Sequence, residues 1–246
     1  MAVYNPVYFN KNKRSDQREI MDDLDFKGPE MKILMEDLRW INKWLGGQQA
    51  TISGIKKLLD QKKPEDPVTI LDVGCGDGEM LRKIMDFGKK HSLNLKGIGL
   101  DFNSYILEEA IVKSKDYPGL TFKNTDILLD KEDIPFCDIA TCNLFLHHFQ
   151  EDSIRIILNT LLKKSRMGVV VNDLHRNKLA FQIFKLGSCV FLKSKTAAYD
   201  GLVSIARGFR KQELRFLSQT IPEQISEIRW FWAFRYRWIL QKTSEE

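Results

Sequence analysis

The chain is short of the residues that signal metal or redox chemistry. Its four cysteines, Cys75, Cys137, Cys142 and Cys189, form no C-x-x-C pair and no Cys/His group with zinc spacing, so neither a metal site nor a disulfide is expected. Cys75, Cys137 and Cys142 fall in apolar strand or turn segments, where a free thiol behaves as a small hydrophobe. Long apolar runs are missing too: none approaches the roughly 20 residues of a membrane span. The polar stretch from Asn10 to Glu19 leaves no room for a signal-like apolar region, so a cytoplasmic protein is expected. Strong charge of one sign is also absent. Lys and Arg number 38 against 33 Asp and Glu, a net +5, and the short basic runs at Lys11–Arg14, Lys62–Lys63 and Lys163–Lys164 suit solvated ends and loops. This gives nucleic acid little to bind. There is no internal repeat and no low-complexity tract.

What remains is globular. With 43% hydrophobic and 29% charged residues, a chain of 246 residues can bury one large α/β core with additions at its edges. Between Gly28 and Leu59 the pattern is helical in two pieces. Met31, Leu34, Met35, Leu38, Ile41, Trp44 and Leu45 recur at spacings of three and four, Gly46-Gly47 ends that helix, and Ile52, Ile55, Leu58 and Leu59 carry a second. Gln61 to Pro67, polar and Pro-containing, reads as a linker.

Strand and helix then alternate. Strands are expected at Val68–Val73, Leu95–Asp101, Leu120–Asn124, Phe136–Asn143 and Met167–Asp173. Helices are expected at Glu79–His91, Ser104–Lys115 and Ser153–Ser165. Apolar strands separated by helices mean a parallel sheet covered on both faces, a Rossmann-like doubly wound α/β fold. Beyond it, Lys178–Lys193 reads as an inserted helix, Thr196–Gly208 as loop-like around Tyr199-Asp200-Gly201, and Arg210–Ser218 as a short helix. Glu227–Trp232 and Tyr236–Gln241 read as two strands joined near Ala233-Phe234, an antiparallel hairpin added to the sheet. Trp230, Trp232 and Trp238 could serve the hairpin's core or an interface.

The most specific signal is Asp72-Val73-Gly74-Cys75-Gly76-Asp77-Gly78, between the first strand and its helix. Glycine lets the backbone turn sharply and approach a ligand, and the helix start offers free N–H groups. The spacing is G-x-G-x-G and not G-x-G-x-x-G, which argues against the dinucleotide fingerprint.

Here the chain resembles the class I S-adenosylmethionine-dependent methyltransferases, over roughly Val68 to Asp173. The resemblance implies a donor site at Asp72, Gly74, Cys75, Gly76 and Gly78, with S-adenosyl-L-homocysteine as product. Asp101, followed by Phe102, ends the second strand, where the family binds both ribose hydroxyls; a carboxylate can accept two hydrogen bonds at once. Asp126 and Ile127 match the carboxylate on the adenine amino group and the apolar neighbour of its ring. Asn143, with the Leu-Phe-Leu-His147-His148 that follows, matches the stretch facing the methyl group. Asp101 as a strand-end turn residue and Asp126 as a turn cap remain open alternatives.

Methyl transfer to a hydroxyl also needs a proton acceptor. A phenol with a pKa near 10 gains from a His near 6.5. His147, His148 and His175 are candidates, with Asp173 as a partner; the Val171–Arg176 block lies at the strand end where such sheets bind ligands. Asn143-Leu-Phe-Leu lacks the Pro-Pro-aromatic motif of methyltransferases acting on adenine or glutamine nitrogens. In family position, Lys178–Gly208 is a lid, and its Phe181, Phe184, Phe191, Leu192 and Tyr199 suit a hydrophobic acceptor or pack the lid itself. Residues 1–66 then form an N-terminal helical cap, and 67–246 the methyltransferase domain with the lid at about 178–208. A looser likeness of Glu19–Asp23, Arg39–Gly47, Asn172–Arg176, Asp200–Ser204 and Arg207–Phe209 is to small-molecule methyltransferases of bacterial secondary-metabolite or quinone pathways. It implies O-methylation of a hydrophobic, aromatic small molecule. C-methylation of a quinone or polyketide-like acceptor, an RNA or protein acceptor, and a non-catalytic relative are the alternatives. No nucleic-acid partner is expected, and a homodimer is compatible.

Overall fold

The computed structural model describes residues 5–44, 47–61, 67–222 and 224–243. Two helices lead, α1 (Pro29–Trp44) and α2 (Gly47–Gln61). Then come β1 (Val68–Val73), α3 (Glu79–Lys90), β2 (Leu95–Asp101), α4 (Ser104–Lys113), β3 (Leu120–Asn124), β4 (Cys137–Asn143), α5 (Glu151–Lys164) and β5 (Ser165–Leu174). Three helices follow, α6 (Lys178–Phe191), α7 (Lys195–Arg207) and α8 (Lys211–Gln219), and the chain closes on the hairpin β6 (Gln224–Phe231) and β7 (Arg235–Lys242). Leu45, Gly46 and the linker residues 62–66 lie outside the described residues, so the expected helix end and linker are described only at Gly47, Gln61 and Pro67.

The seven strands form one sheet in the order β3-β2-β1-β4-β5-β7-β6. The first five are parallel; β7 runs antiparallel to β5, from Val169 opposite Leu240 to Leu174 opposite Arg235, and β6 lies outside it. Alternate strand residues serve opposite faces. Ile70, Ile139, Val170 and Ile239 meet α2 and α3 through Ile55, Leu58, Leu81 and Ile84. Leu71, Ala140, Val171 and Trp238 meet α5 and α8 through Ile154, Leu158, Leu214 and Leu217. Each such buried side chain contributes about 1.5–3 kcal/mol, which holds the strand ends, and so the site, in place. Trp238 is core, while Trp230 and Trp232 are exposed. All four cysteines are free, and Cys189 alone of them is exposed.

The expected loop at 196–208 is a helix, α7. Its turn-like residues have other duties. The buried Asp200 carboxylate accepts from the backbone N–H groups of Ile20 (2.7 Å) and Met21 (3.1 Å), pinning the N-terminal segment onto the helix. Gly201 permits close approach: a Cβ there would lie 2.2 Å from Phe184 Cζ. Gly201→Ala should therefore lower Tm by roughly 2–10 °C, through overpacking of about 1–3 kcal/mol. A thermal melt with an unchanged or higher Tm, as helix propensity alone would give, would contradict this packing.

Candidate active site

The turn after β1 is built on positive φ angles at Gly74 (+69°), Gly76 (+52°) and Gly78 (+75°). Gly74 and Cys75 donate their N–H groups to the Leu100 carbonyl (2.9 and 3.0 Å), which fastens the turn to the end of β2. A Cβ on Gly74 would sit 2.2 Å from the Phe145 ring, whereas one on Gly76 would meet only Met35 Cε at 3.6 Å. Gly78 differs from the other two. It caps α3 against Phe122 and does not line the adjoining cavity, so its glycine serves the helix start.

Two cavities meet at Gly74 and Gly76, of about 190 and 240 Å³. The larger is bounded by Asp101, Phe102, Thr125, Asp126, Ile127 and Phe145. Asp101 accepts from Gly76 N–H (2.9 Å) with one oxygen and from Asn103 N–H (3.0 Å) with the other, leaving lone pairs on both. Burial pushes its carboxyl up from the usual range, and those N–H groups oppose the shift. Thr125 Oγ1 is buried with no partner, a polar atom left for a ligand to complete. Asp126 caps its own turn, accepting from Leu128 N–H (2.8 Å) and Leu129 N–H (3.3 Å), while also lining the cavity.

The smaller cavity reaches the ends of β4 and β5. Asp72 is buried and accepts from Thr141 Oγ1 (2.6 Å) and Asn143 Nδ2 (2.9 Å). Burial pushes its carboxyl up to about 6 despite these bonds. Asn143 Oδ1 accepts from Thr51 on α2. Asp77 is saturated by Arg39 and by Lys113 (2.9 Å).

At its far end stands His147, buried between two carboxylates. Nδ1 faces Asp173 Oδ1 at 2.7 Å and Nε2 faces Glu19 Oε1 at 3.2 Å. Burial would lower this imidazole, but Asp173 and Glu19 outweigh it and raise it to about 9. Glu19 in turn accepts from Ser204 Oγ (2.7 Å). His148, whose Nδ1 lies 3.0 Å from Asp22, closes the group. Ligand-capable atoms of Glu19, His147 and His148 lie within 4.8 Å of one another, compact enough for a divalent cation, although their hydrogen bonds account for the arrangement without one.

Asp173 is thus brought to His147 and not to His175. His175 packs on Tyr236 (4.9 Å between rings) and lines a separate apolar cavity of about 620 Å³, with Trp40, Phe184, Phe191, Trp232 and Phe234. Burial, helped by Arg176 and Arg210, lowers its pKa. Of the expected hydrophobic lid residues, Phe184, Phe191 and Leu192 line this cavity; Phe181 packs on Phe9 (5.3 Å), and Tyr199 is not among the lining residues. Leu174 is shared by the apolar cavity and the His147 cavity. Glu19 and Arg235 were not candidates from sequence. Glu19 sits 128 residues from His147 in a polar stretch without periodicity, and only the fold joins them.

Residues 70–168 match the protein family described as methyltransferase domain. Together with the sheet order and the glycine turn, this match supports an S-adenosylmethionine-dependent methyltransferase. Comparison with curated proteins gives no match. Among solved structures, the chain is similar to the plantazolicin methyltransferase BpumL in complex with SAH (16% identity, 89% of this chain and 92% of that one, TM-score 0.66). It is also similar to the plantazolicin methyltransferase BamL with a triazolic desmethylPZN analog and SAH (12%, 90% and 93%, 0.65). A third is the magnesium protoporphyrin IX methyltransferase ChlM of Synechocystis PCC 6803 with bound SAH (12%, 80% and 83%, 0.53). At these identities the likeness is one of fold. No helix among the described residues is long and apolar enough to cross a membrane.

Proposed function

We propose that the protein methylates a hydroxyl of a hydrophobic, aromatic small molecule of secondary metabolism. The observation that carries this reading is the adjacency of three spaces: the Asp101 cavity meets the His147 cavity at Gly74 and Gly76, and Leu174 stands between that cavity and the apolar one, lining both. Asp101 would hold the ribose, Phe102, Asp126 and Ile127 the adenine, and Asp72, Gly74, Cys75, Gly76 and Asn143 the amino-acid part. The unpartnered Thr125 hydroxyl and the open Gly76 cradle fit such a ligand. S-adenosylmethionine supplies a methyl group activated on a sulfonium; the protein supplies position, worth roughly 7–11 kcal/mol.

The acceptor's hydroxyl takes Glu19's place at His147 Nε2 and gives its proton there, while Asp173 fixes the ring and its tautomer. His175 acts on the acceptor's apolar side as a contact. Residues 1–66 form the cap, with Glu19 closing the site, and 67–246 the catalytic domain with its lid at 178–208. The plantazolicin and protoporphyrin methyltransferases among the structural neighbours support a small-molecule or peptide acceptor.

Incubation with S-adenosylmethionine and a panel of hydroxylated aromatics should yield S-adenosylhomocysteine and a product 14 Da heavier by mass spectrometry. NMR placing the new methyl on carbon would overturn O-methylation. Asp101→Ala should weaken S-adenosylhomocysteine binding by ~10–150-fold in calorimetry, as expected for one hydrogen bond to a charged group at about 1.5–3 kcal/mol. Unchanged affinity would remove Asp101 from the site.

A further inference from the structure

Arg235 opens β7 opposite Leu174 and is 2% exposed. Of its donors, Nη2 reaches Asn42 Oδ1 (2.8 Å); Nε and Nη1 are buried with no partner. The other buried arginines each have an acid or carbonyl partner, although Arg237 Nε is also unpartnered. Arg176 holds Glu213 (2.5 Å), Arg237 holds Glu227 (2.5 Å), and Arg207 donates to the carbonyls of Gln17 (2.8 Å), His147 (2.9 Å) and His148. Among the described residues Arg235 has no ion pair. The nearest acid on its neighbouring strand, Asp173, is already used by His147 and by the N–H of Leu174 (2.7 Å). A buried cation whose nearby opposite charge, Asp173, is bonded elsewhere is unfavourable, and well-packed apolar residues often do as well or better in its place. The room for it is nonetheless kept: a Cβ on Gly47 would come within 2.9 Å of the guanidinium carbon.

Arg235 lines the same cavity as Gly74, Asn143 and His147. Its fork matches a carboxylate, which two parallel N–H bonds can hold. We infer that Arg235 receives a carboxylate carried by the acceptor. Position assigns the source. Arg39, the other arginine lining this cavity, is bonded to Asp77 beside the glycine turn. Arg235 stands across from Leu174 and directly after Phe234, both of which line the apolar cavity. The acceptor is therefore an aromatic hydroxy acid or a close analogue, its apolar body beyond Leu174, its carboxylate on Arg235 and its hydroxyl toward His147. This inference rests on the proposed use of the His147 cavity for methyl transfer.

The test uses the full chain saturated with S-adenosylhomocysteine, and 2-naphthoate and 2-naphthamide as probes in calorimetry and thermal shift. Naphthoate should bind and raise Tm, with the amide at least tenfold weaker. Arg235→Met should lower naphthoate affinity at least tenfold, leave S-adenosylhomocysteine affinity within twofold and leave Tm unchanged or higher. Arg235→Lys, which keeps the charge and loses the fork, should also weaken naphthoate and serves if the Met variant does not fold. Equal binding of acid and amide, or no naphthoate binding, would overturn the inference. So would Arg235→Met losing S-adenosylhomocysteine with naphthoate unaffected, which would put the carboxylate on the donor. Failure of the wild type to bind S-adenosylhomocysteine is a separate result and removes the methyltransferase site itself.

Discussion

His147→Gln should lower kcat by about 10²–10⁴, the usual contribution of a positioned general base, with S-adenosylhomocysteine affinity unchanged. The imidazole lies beyond Asn143, away from Asp101 and the adenine-side residues, so donor binding is spared. The pH dependence has a definite sign. To accept a proton, His147 must be neutral, and its two carboxylate partners raise it to about 9. Below that pH the imidazolium dominates in the free enzyme, so the wild-type kcat/KM should climb about tenfold per pH unit and level off near 9. Removing one partner moves the profile: Glu19→Gln should shift the plateau to lower pH, because one of the charges that favour the imidazolium is gone. A flat profile from pH 6 to 9 in the wild type, or a His147→Gln enzyme of normal kcat, would exclude His147 as the base.

The second large effect is expected at Gly76. Its Cβ position is open, with only Met35 Cε at 3.6 Å, so Gly76→Arg should fold, at a cost of about 1–2 kcal/mol for a side chain at φ +52°. The added side chain enters the space where the two cavities meet. Calorimetry should show S-adenosylhomocysteine affinity falling by more than a hundredfold while the thermal melt stays cooperative. Gly74→Ala is the poorer probe, since a Cβ 2.2 Å from Phe145 would disturb the turn itself. Retained affinity in Gly76→Arg would mean that the turn is structural only.

Most of the scaffold could be read from the chain because its signals are local. β1, β2 and β3 begin and end where their apolar runs do, since those runs are bounded by Asp, Gly and Asn. The glycine turn and Asp101 were legible for the same reason: an acid at a strand end and three spaced glycines are short patterns, and the Gly76–Asp101 hydrogen bond ties them together. α7 was misread because Asp200 and Gly201 look like a turn, yet one caps a segment 180 residues away and the other makes room for Phe184. Gly78, which the resemblance groups with the donor site, caps the start of α3, a role that only the fold shows. The proton-handling group was half visible. His147 and Asp173 stood out as polar residues at apolar strand ends, but Glu19 joins them only through tertiary structure. Arg235 gave no sequence signal at all, because an arginine at a strand end is ordinarily solvated; its burial and missing partners are properties of the fold.

The most direct test is a crystal structure of the protein grown with S-adenosylhomocysteine. The ribose hydroxyls should lie on the Asp101 carboxylate, the adenine against Phe102 and Ile127, and the amino-acid part along Gly74–Gly76 toward Asn143, with the sulfur facing the His147 cavity. Ligand density elsewhere, or none at saturating concentration, would contradict it.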